Sequence, residues 1–158
     1  MNPKLSFAVV AAAAAVLLAT GLFAETTLVP GVSPGKDVVA VRKYVMVTNN
    51  ANLRDIRLKL EAKKSLDVVS NGRSMAASAM ILPFLFVDAY PDAYPVPGSN
   101  YAYKATPMAE VQAGAELLNA QCQKLVNLAG QAAETAKQLD RVKDACRDCH
   151  AKMRTDVK

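Results

Sequence analysis

Tryptophan is absent from this chain of 158 residues, histidine occurs once, and aromatic residues make up only 6% of the sequence. Charges of both signs are mixed along the chain and leave a formal net charge of +5. The lack of an arginine-rich run, or of a basic patch with interleaved aromatic residues, argues against binding to nucleic acid. Strand-like alternation of useful length is also lacking, so the sequence predicts an all-α fold of one domain.

The one long apolar run stands at the N-terminus. Lys4 precedes the run FAVVAAAAAVLLATGLF, which is followed by the small residue Ala24 and a polar segment. This order is typical of a secretory signal peptide, and residues 1–24 are predicted to be removed on export. The alternative is an uncleaved membrane anchor, because about 20 apolar residues can span a bilayer. Only in that case does the sequence place the protein at a membrane.

The rest of the chain is predicted to form four helices. Residues 25–36 contain two prolines and two glycines and predict an extended lead-in, and the domain itself covers residues 37–158. Within the domain, apolar residues recur at intervals of three and four, which is the period of a helix with one buried face. Four helices with short and long connections favour a four-helix bundle, which can house a cofactor between its helices. The predicted spans are 37–64, 65–86, 106–129 and 131–155.

Local signals mark the ends and the weak points of these helices. Asp37 is predicted to cap the first helix, and Thr106, which precedes Pro107, is predicted to cap the third. Pro83 is predicted to end or kink the second helix, which Gly72 softens. The run TNNAN in the first helix has poor helix propensity. The apolar pattern resumes in phase after this run, so one unbroken helix is predicted.

The chemistry-bearing residues lie together near the C-terminus, in the run CRDCH. Cys146, Cys149 and His150 project from nearly the same side of a helix, because they are three and four positions apart. C-x-x-C-H is the attachment signature for c-type haem. Two thioethers can fix the porphyrin edge, and the imidazole can then reach the iron from one face. The sequence therefore predicts one covalently bound haem c, with its iron, on the last helix.

Three other interpretations compete with haem attachment. A redox-active dithiol normally belongs at a strand–helix junction, and no strands are predicted. A zinc site needs a fourth ligand, for which only Cys122 remains, on a different helix. The motif could also occur by chance, which the export signal and the helical setting argue against. Cys122 itself falls on an apolar helix face and is predicted to be a buried core residue.

The sequence does not identify the second axial ligand of the iron as directly as the first. His150 is the only histidine, so ligation by two histidines is excluded. Methionine is the usual alternative. Met153 is predicted to lie on the same side of the ring as His150, because it follows on the same helix. Periodicity alone does not rank the remaining candidates, which are Met46, Met75, Met80 and Met108.

These features resemble the cytochrome c′ family, the class II c-type cytochromes, over most of residues 37–156. In that family C-x-x-C-H lies on the last of four helices, as CRDCHAKMR does here, with Met153 in place of the usual aromatic residue. VRKYVMVTNNANLRDI is similar to the first helix of the family, and MILPFLF is similar to the end of the second. The resemblance implies an antiparallel four-helix bundle with a covalently attached haem. The Tyr/Pro-rich loop 87–105 and the absence of tryptophan depart from the family pattern.

The resemblance also implies roles for individual residues. Met46, four positions after Arg42, matches the residue that faces the distal side of the iron, and a methionine there implies a six-coordinate, low-spin haem. Arg42 resembles the residue that pairs with a haem propionate, and Arg154 resembles the basic residue on the proximal side. The alternatives are that Met46 only packs over the haem, that Arg42 is solvated and that Arg154 stabilises the helix C-terminus. The tyrosines of loop 87–105 either cover the haem edge or belong to a plain surface loop.

The function that this resemblance implies is single-electron transfer in the periplasm. Axial ligation by His150 and Met46 leaves no open position for a substrate, so the chain is expected to be a carrier and not an enzyme. Its partners are expected to be redox proteins, and homodimers through the first two helices are common in the family. The alternative is a five-coordinate haem protein that binds NO or CO, if Met46 does not bind the iron.

Overall fold

The computed structural model describes residues 34–156. They contain the helices α1 (Pro34–Glu61), α2 (Val69–Leu85), α3 (Met108–Asn127) and α4 (Ala132–Met153), the 3-10 turns Ser65–Val68 and Pro91–Ala93, and the strands β1 (Tyr101–Tyr103) and β2 (Arg154–Asp156). Helix α1 packs against α2 and α4, and α3 packs against the same two helices, so that the four form a closed ring. The prediction of an all-α fold is confirmed.

The N-terminal predictions fall mostly beyond this range. The predicted signal peptide, residues 1–24, and most of the extended lead-in lie outside the described residues. Across residues 34–156, no helix combines the length and the apolar character that a membrane crossing requires.

Three helix starts differ from the prediction. Helix α2, predicted from residue 65, begins at Val69, after the 3-10 turn Ser65–Val68. Helix α1 begins at Pro34, so the last part of the predicted lead-in is helical, and Asp37 lies in the first turn instead of capping it. Proline is tolerated in a first turn because its missing N–H has no helical partner there. Thr106 does not cap α3, because its hydroxyl donates to the carbonyl of Lys104 at 2.8 Å and the helix begins at Met108.

The run TNNAN does not break α1, because its asparagines bond to α2. Asn49 Oδ1 accepts a hydrogen bond from Ser78 Oγ at 2.8 Å. Asn71 of α2, which is buried, donates to Asn52 Oδ1 at 2.9 Å and to Asp55 Oδ2 at 3.0 Å. These asparagines therefore stabilise the packing of α1 against α2. The free energy of their hydrogen bonds outweighs the cost of their low helix propensity.

Helices α2 and α3 approach each other closely at Gly72. A Cβ atom at this position would lie 2.6 Å from Val126 Cγ2 and 3.1 Å from Leu125 Cδ2. Gly72 thus permits the close packing of two helices, whereas the sequence indicated only a position of low helix propensity. Pro83 lies in the last turn of α2, which ends at Leu85, as predicted.

A short sheet that the sequence does not indicate follows α4. The helix ends at Met153, before the predicted residue 155, and β2 pairs antiparallel with β1, with Arg154 opposite Tyr103. The Lys104 N–H donates to the Met153 carbonyl at 2.8 Å and extends the pairing. The sheet connects loop 87–105 to the end of α4.

The ring of helices encloses a main core that includes Cys122. This side chain is 1% exposed, which confirms the prediction of a buried core residue. Burial raises its pKa to about 12, so the thiol stays protonated. A second, smaller apolar cluster contains Tyr103, Val111 and Met153, and it lies where β1, the start of α3 and the end of α4 meet.

Candidate functional site

A cavity of about 330 Å³ lies between α1, the end of α4 and loop 87–105. Its apolar walls include Val39 and Val47 of α1, Leu82 of α2, Phe86 just after α2, and Val111 of α3. Apolar walls with a few polar groups are typical of sites that hold small molecules and cofactors.

Most of the predicted site residues meet at this cavity. Met46 and Arg42 line it from α1, and Cys149 and His150 line it from α4. Arg154 lines it from the start of β2. The fold therefore brings both predicted axial ligands to one space, from the first and the last helices.

The two cysteines of the motif lie in different surroundings. Cys149 lines the cavity, and its Sγ lies 3.4 Å from Sδ of Met153. Cys146 is not among the cavity-lining residues; it is half-buried and packs against the main core. The structure thus places one predicted attachment point at the cavity and the other against the main core.

Both thiols of the motif are held in the protonated form. Burial, and secondarily the neighbouring Cys149, raises the pKa of Cys146 to about 11. Burial also raises the pKa of Cys149. The two residues lie in the last turns of α4, where the helix dipole disfavours an anion. A dithiol oxidoreductase needs the opposite, a lowered pKa at the attacking cysteine, so the geometry does not favour that alternative.

His150 is half-buried at the cavity wall. Burial first, and then the charge of Arg154, lowers the pKa of the imidazole, so the ring is neutral at neutral pH. A neutral imidazole has a nitrogen lone pair with which to bind a metal. Arg154 lies beside it, with Nη1 3.4 Å from Nδ1, and its guanidinium carbon lies 3.5 Å from the centre of the Tyr101 ring.

Arg42 is 3% exposed and bonds to the chain that follows α2. Its Nε donates to the Leu85 carbonyl at 2.6 Å, and its Nη2 donates to the Asp88 carbonyl. Its Nη1 donates to the Ala89 carbonyl at 3.3 Å and to the Tyr94 hydroxyl at 3.4 Å. The alternative of a solvated arginine is wrong, and the pairing with a propionate stays a prediction.

Loop 87–105 forms part of the cavity wall and is not a plain surface loop. Tyr94, Val96, Tyr101 and Tyr103 line the cavity. The sequence singled out these tyrosines but did not indicate Lys43, whose Nζ donates to the Pro97 carbonyl. The run DAYP occurs twice in this loop, at residues 88–91 and 92–95, and is the available signal for a structured loop, but it carries no information about which helix the loop covers.

Comparisons of the chain with models of known families, with curated proteins and with solved structures found no match.

Proposed function

We propose that this chain is a periplasmic c-type cytochrome of the cytochrome c′ kind, a four-helix bundle that carries single electrons on one covalently bound haem c. The observation that supports the proposal is that Met46 and His150 line the same cavity. Both line one apolar cavity, next to the C-x-x-C-H cysteine Cys149. A thiol, an imidazole and a thioether around one apolar space are the groups by which c-type cytochromes hold haem.

The residues present suit such a group. Cys149, at the cavity wall, and the half-buried Cys146 would be the attachment points, through thioether bonds to the porphyrin. His150 and Met46 would hold the haem iron. When bound, the haem iron supplies a centre that changes its charge by one electron.

The remaining side chains keep that centre isolated. The apolar part of the cavity wall would limit the access of water to a bound haem, which would place its reduction potential under the control of the protein. If His150 and Met46 both bind the iron, no coordination site would be left for a substrate, so the protein is proposed to serve as a carrier between redox proteins and not as an enzyme.

An apolar outer surface on α1 and α2 supports a homodimer. Phe84 is 79% exposed, and Tyr44, Met80 and Ile81 are also exposed on these two adjacent helices. Exposed apolar patches commonly mark protein–protein contacts. We propose that two copies of the chain associate through this surface.

An optical spectrum tests the proposal. The full chain, with its N-terminal segment, is produced in a host with the cytochrome c maturation machinery and is recovered from the periplasm. Haem that stays with the chain on a denaturing gel, and a sharp low-spin α band that CO does not change, are expected. A chain without haem contradicts the whole proposal. A broad high-spin spectrum that shifts with CO favours the five-coordinate alternative.

A further inference from the structure

Consecutive residues of α1 hold loop 87–105 at two separate points. Arg42 bonds to the Asp88 and Ala89 carbonyls at the start of the loop and to the Tyr94 hydroxyl, and it also bonds to the Leu85 carbonyl at the end of α2. Lys43 bonds to the Pro97 carbonyl further along. Neighbouring residues of a helix point about 100° apart, so the two cations reach different parts of the same loop. Both also line the cavity, as does Met46 on the next turn.

Aromatic rings gather around the Arg42 guanidinium. Its central carbon lies 4.7 Å from the centre of the Phe86 ring, 4.9 Å from that of Tyr103 and 5.4 Å from that of Tyr90. Cation–π attraction is strongest where water is excluded, as it is around this buried group. Phe86 and Tyr103 also pack edge to face, with centroids 4.9 Å apart. Arg42 therefore joins the two ends of the loop, at residues 85–90 and at Tyr103.

The hydrogen-bond capacity of Arg42 is nearly used up by these contacts. A guanidinium has five N–H donors. Nε uses its single N–H on Leu85, Nη1 uses both of its own on Ala89 and Tyr94, and Nη2 uses one on Asp88. One N–H of Nη2 is left, which cannot make the two parallel bonds of a bidentate carboxylate pair.

We propose that Arg42 and Lys43 are positioning residues that hold loop 87–105 as a cover over the cavity, and that this cover keeps exogenous ligands away from the iron position beside Met46. Bidentate pairing of Arg42 with a propionate would require release of the loop. The hydrogen bonds from Arg42 and Lys43 to the loop are present in the structure, whereas the protection of the iron rests on the proposed function.

Hydrogen–deuterium exchange of the full-length purified protein tests the cover. Arg42→Gln is compared with Arg54→Gln, which changes an exposed arginine of the same helix. In R42Q, amides of residues 86–104 are expected to exchange at least about tenfold faster than in wild type. In wild type the loop can open only by breaking the Arg42 contacts, and R42Q lacks these contacts. R54Q should match wild type. Unchanged exchange in R42Q overturns the proposal.

A second measurement separates the cover from a propionate role. CO is added to the reduced proteins in a Met46→Leu background, in which the iron would be open to CO, and the rate of spectral change is recorded. With Arg42→Gln added, the reaction with CO is expected to be several-fold faster than in the Met46→Leu protein alone or with Arg54→Gln added. A shift of midpoint potential in R42Q with unchanged exchange and CO access would assign Arg42 to the propionate instead. If the isolated protein carries no haem, the proposed function fails, while the exchange measurement still decides whether Arg42 holds the loop.

Lys43→Gln provides a test if R42Q does not fold. Lys43 is only partly buried, so its replacement should leave the fold intact. Faster exchange is expected around residues 95–101, near Pro97, and not at residues 86–90. Equal exchange in K43Q and wild type contradicts the role of Lys43, and faster exchange throughout the helices contradicts a contact confined to the loop.

Discussion

Met46 of α1 and His150 of α4 line the same cavity, although they lie near opposite ends of the described chain. The ring of four helices brings this about, because α1 and α4 are neighbours in space. The proposed function depends on this relationship, because two ligands of one iron would have to reach the same space. Substitutions at Met46, at the cysteines, at Asp55 and at Gly72 test this relationship and the packing of the helices that produces it.

Met46→Leu should convert a low-spin spectrum into a high-spin one that responds to CO. Leucine has nearly the volume of methionine, so the cost in stability should stay below about 1.5 kcal/mol, but leucine has no sulfur to bind iron. The matched control is Met80→Leu, because Met80 is 66% exposed on α2. A low-spin spectrum in M46L equal to that of M80L would mean that another side chain is the distal ligand.

Substitution of the two motif cysteines and substitution of Cys122 should have different effects. The double variant C146A/C149A should lose all haem on a denaturing gel, since no thioether can form. Cys122→Ala should keep its haem and lose about 1 kcal/mol of unfolding free energy, because it leaves a small void in the core. Haem stain and denaturant unfolding measure the two effects. Loss of covalent haem in C122A would assign Cys122 to the attachment site.

Asp55 should make stability depend on acid pH. Hydrogen bonds from Lys59 and then Asn71 lower its pKa in the folded protein from the ordinary value of 3.8. Because the folded pKa is the lower one, this contribution to stability is present above pH 3.8 and is lost as pH falls through the folded pKa. Unfolding free energy should therefore fall less between about pH 5 and pH 3 in Asp55→Asn than in wild type. Asp92→Asn, in an exposed loop position, should keep the wild-type slope, and equal slopes in all three proteins contradict the prediction.

Gly72→Ala should destabilise the fold by about 1–3 kcal/mol, because the added methyl forces α2 and α3 apart. Gly114→Ala is the control, since its Cβ would meet Cys149 Sγ at an ordinary 3.5 Å. Alanine in place of an interior helix glycine should add up to about 1 kcal/mol there. Urea unfolding compares the two, and G72A as stable as G114A would show that the helices adjust freely.

The sequence predicted the helices well and the connections poorly. Apolar periodicity located all four helices of the described range, because each buries one face against its neighbours. It did not predict the β1–β2 pairing, since strands of three residues have no period of their own and depend on partners far along the chain. The asparagines of TNNAN and Gly72 were interpreted as weaknesses, because propensity describes an isolated helix and these residues act between helices.

By itself, the sequence determined the C-x-x-C-H motif and the single histidine, and so which reactive side chains the last helix carries. These are covalent facts about neighbouring residues, which spacing alone conveys. Only the tertiary structure decided that Met46 shares a cavity with His150, that Arg42 is buried among aromatic rings, and that loop 87–105 forms a wall. Each of these depends on packing between distant segments, where the burial of apolar surface and the satisfaction of buried donors select one arrangement.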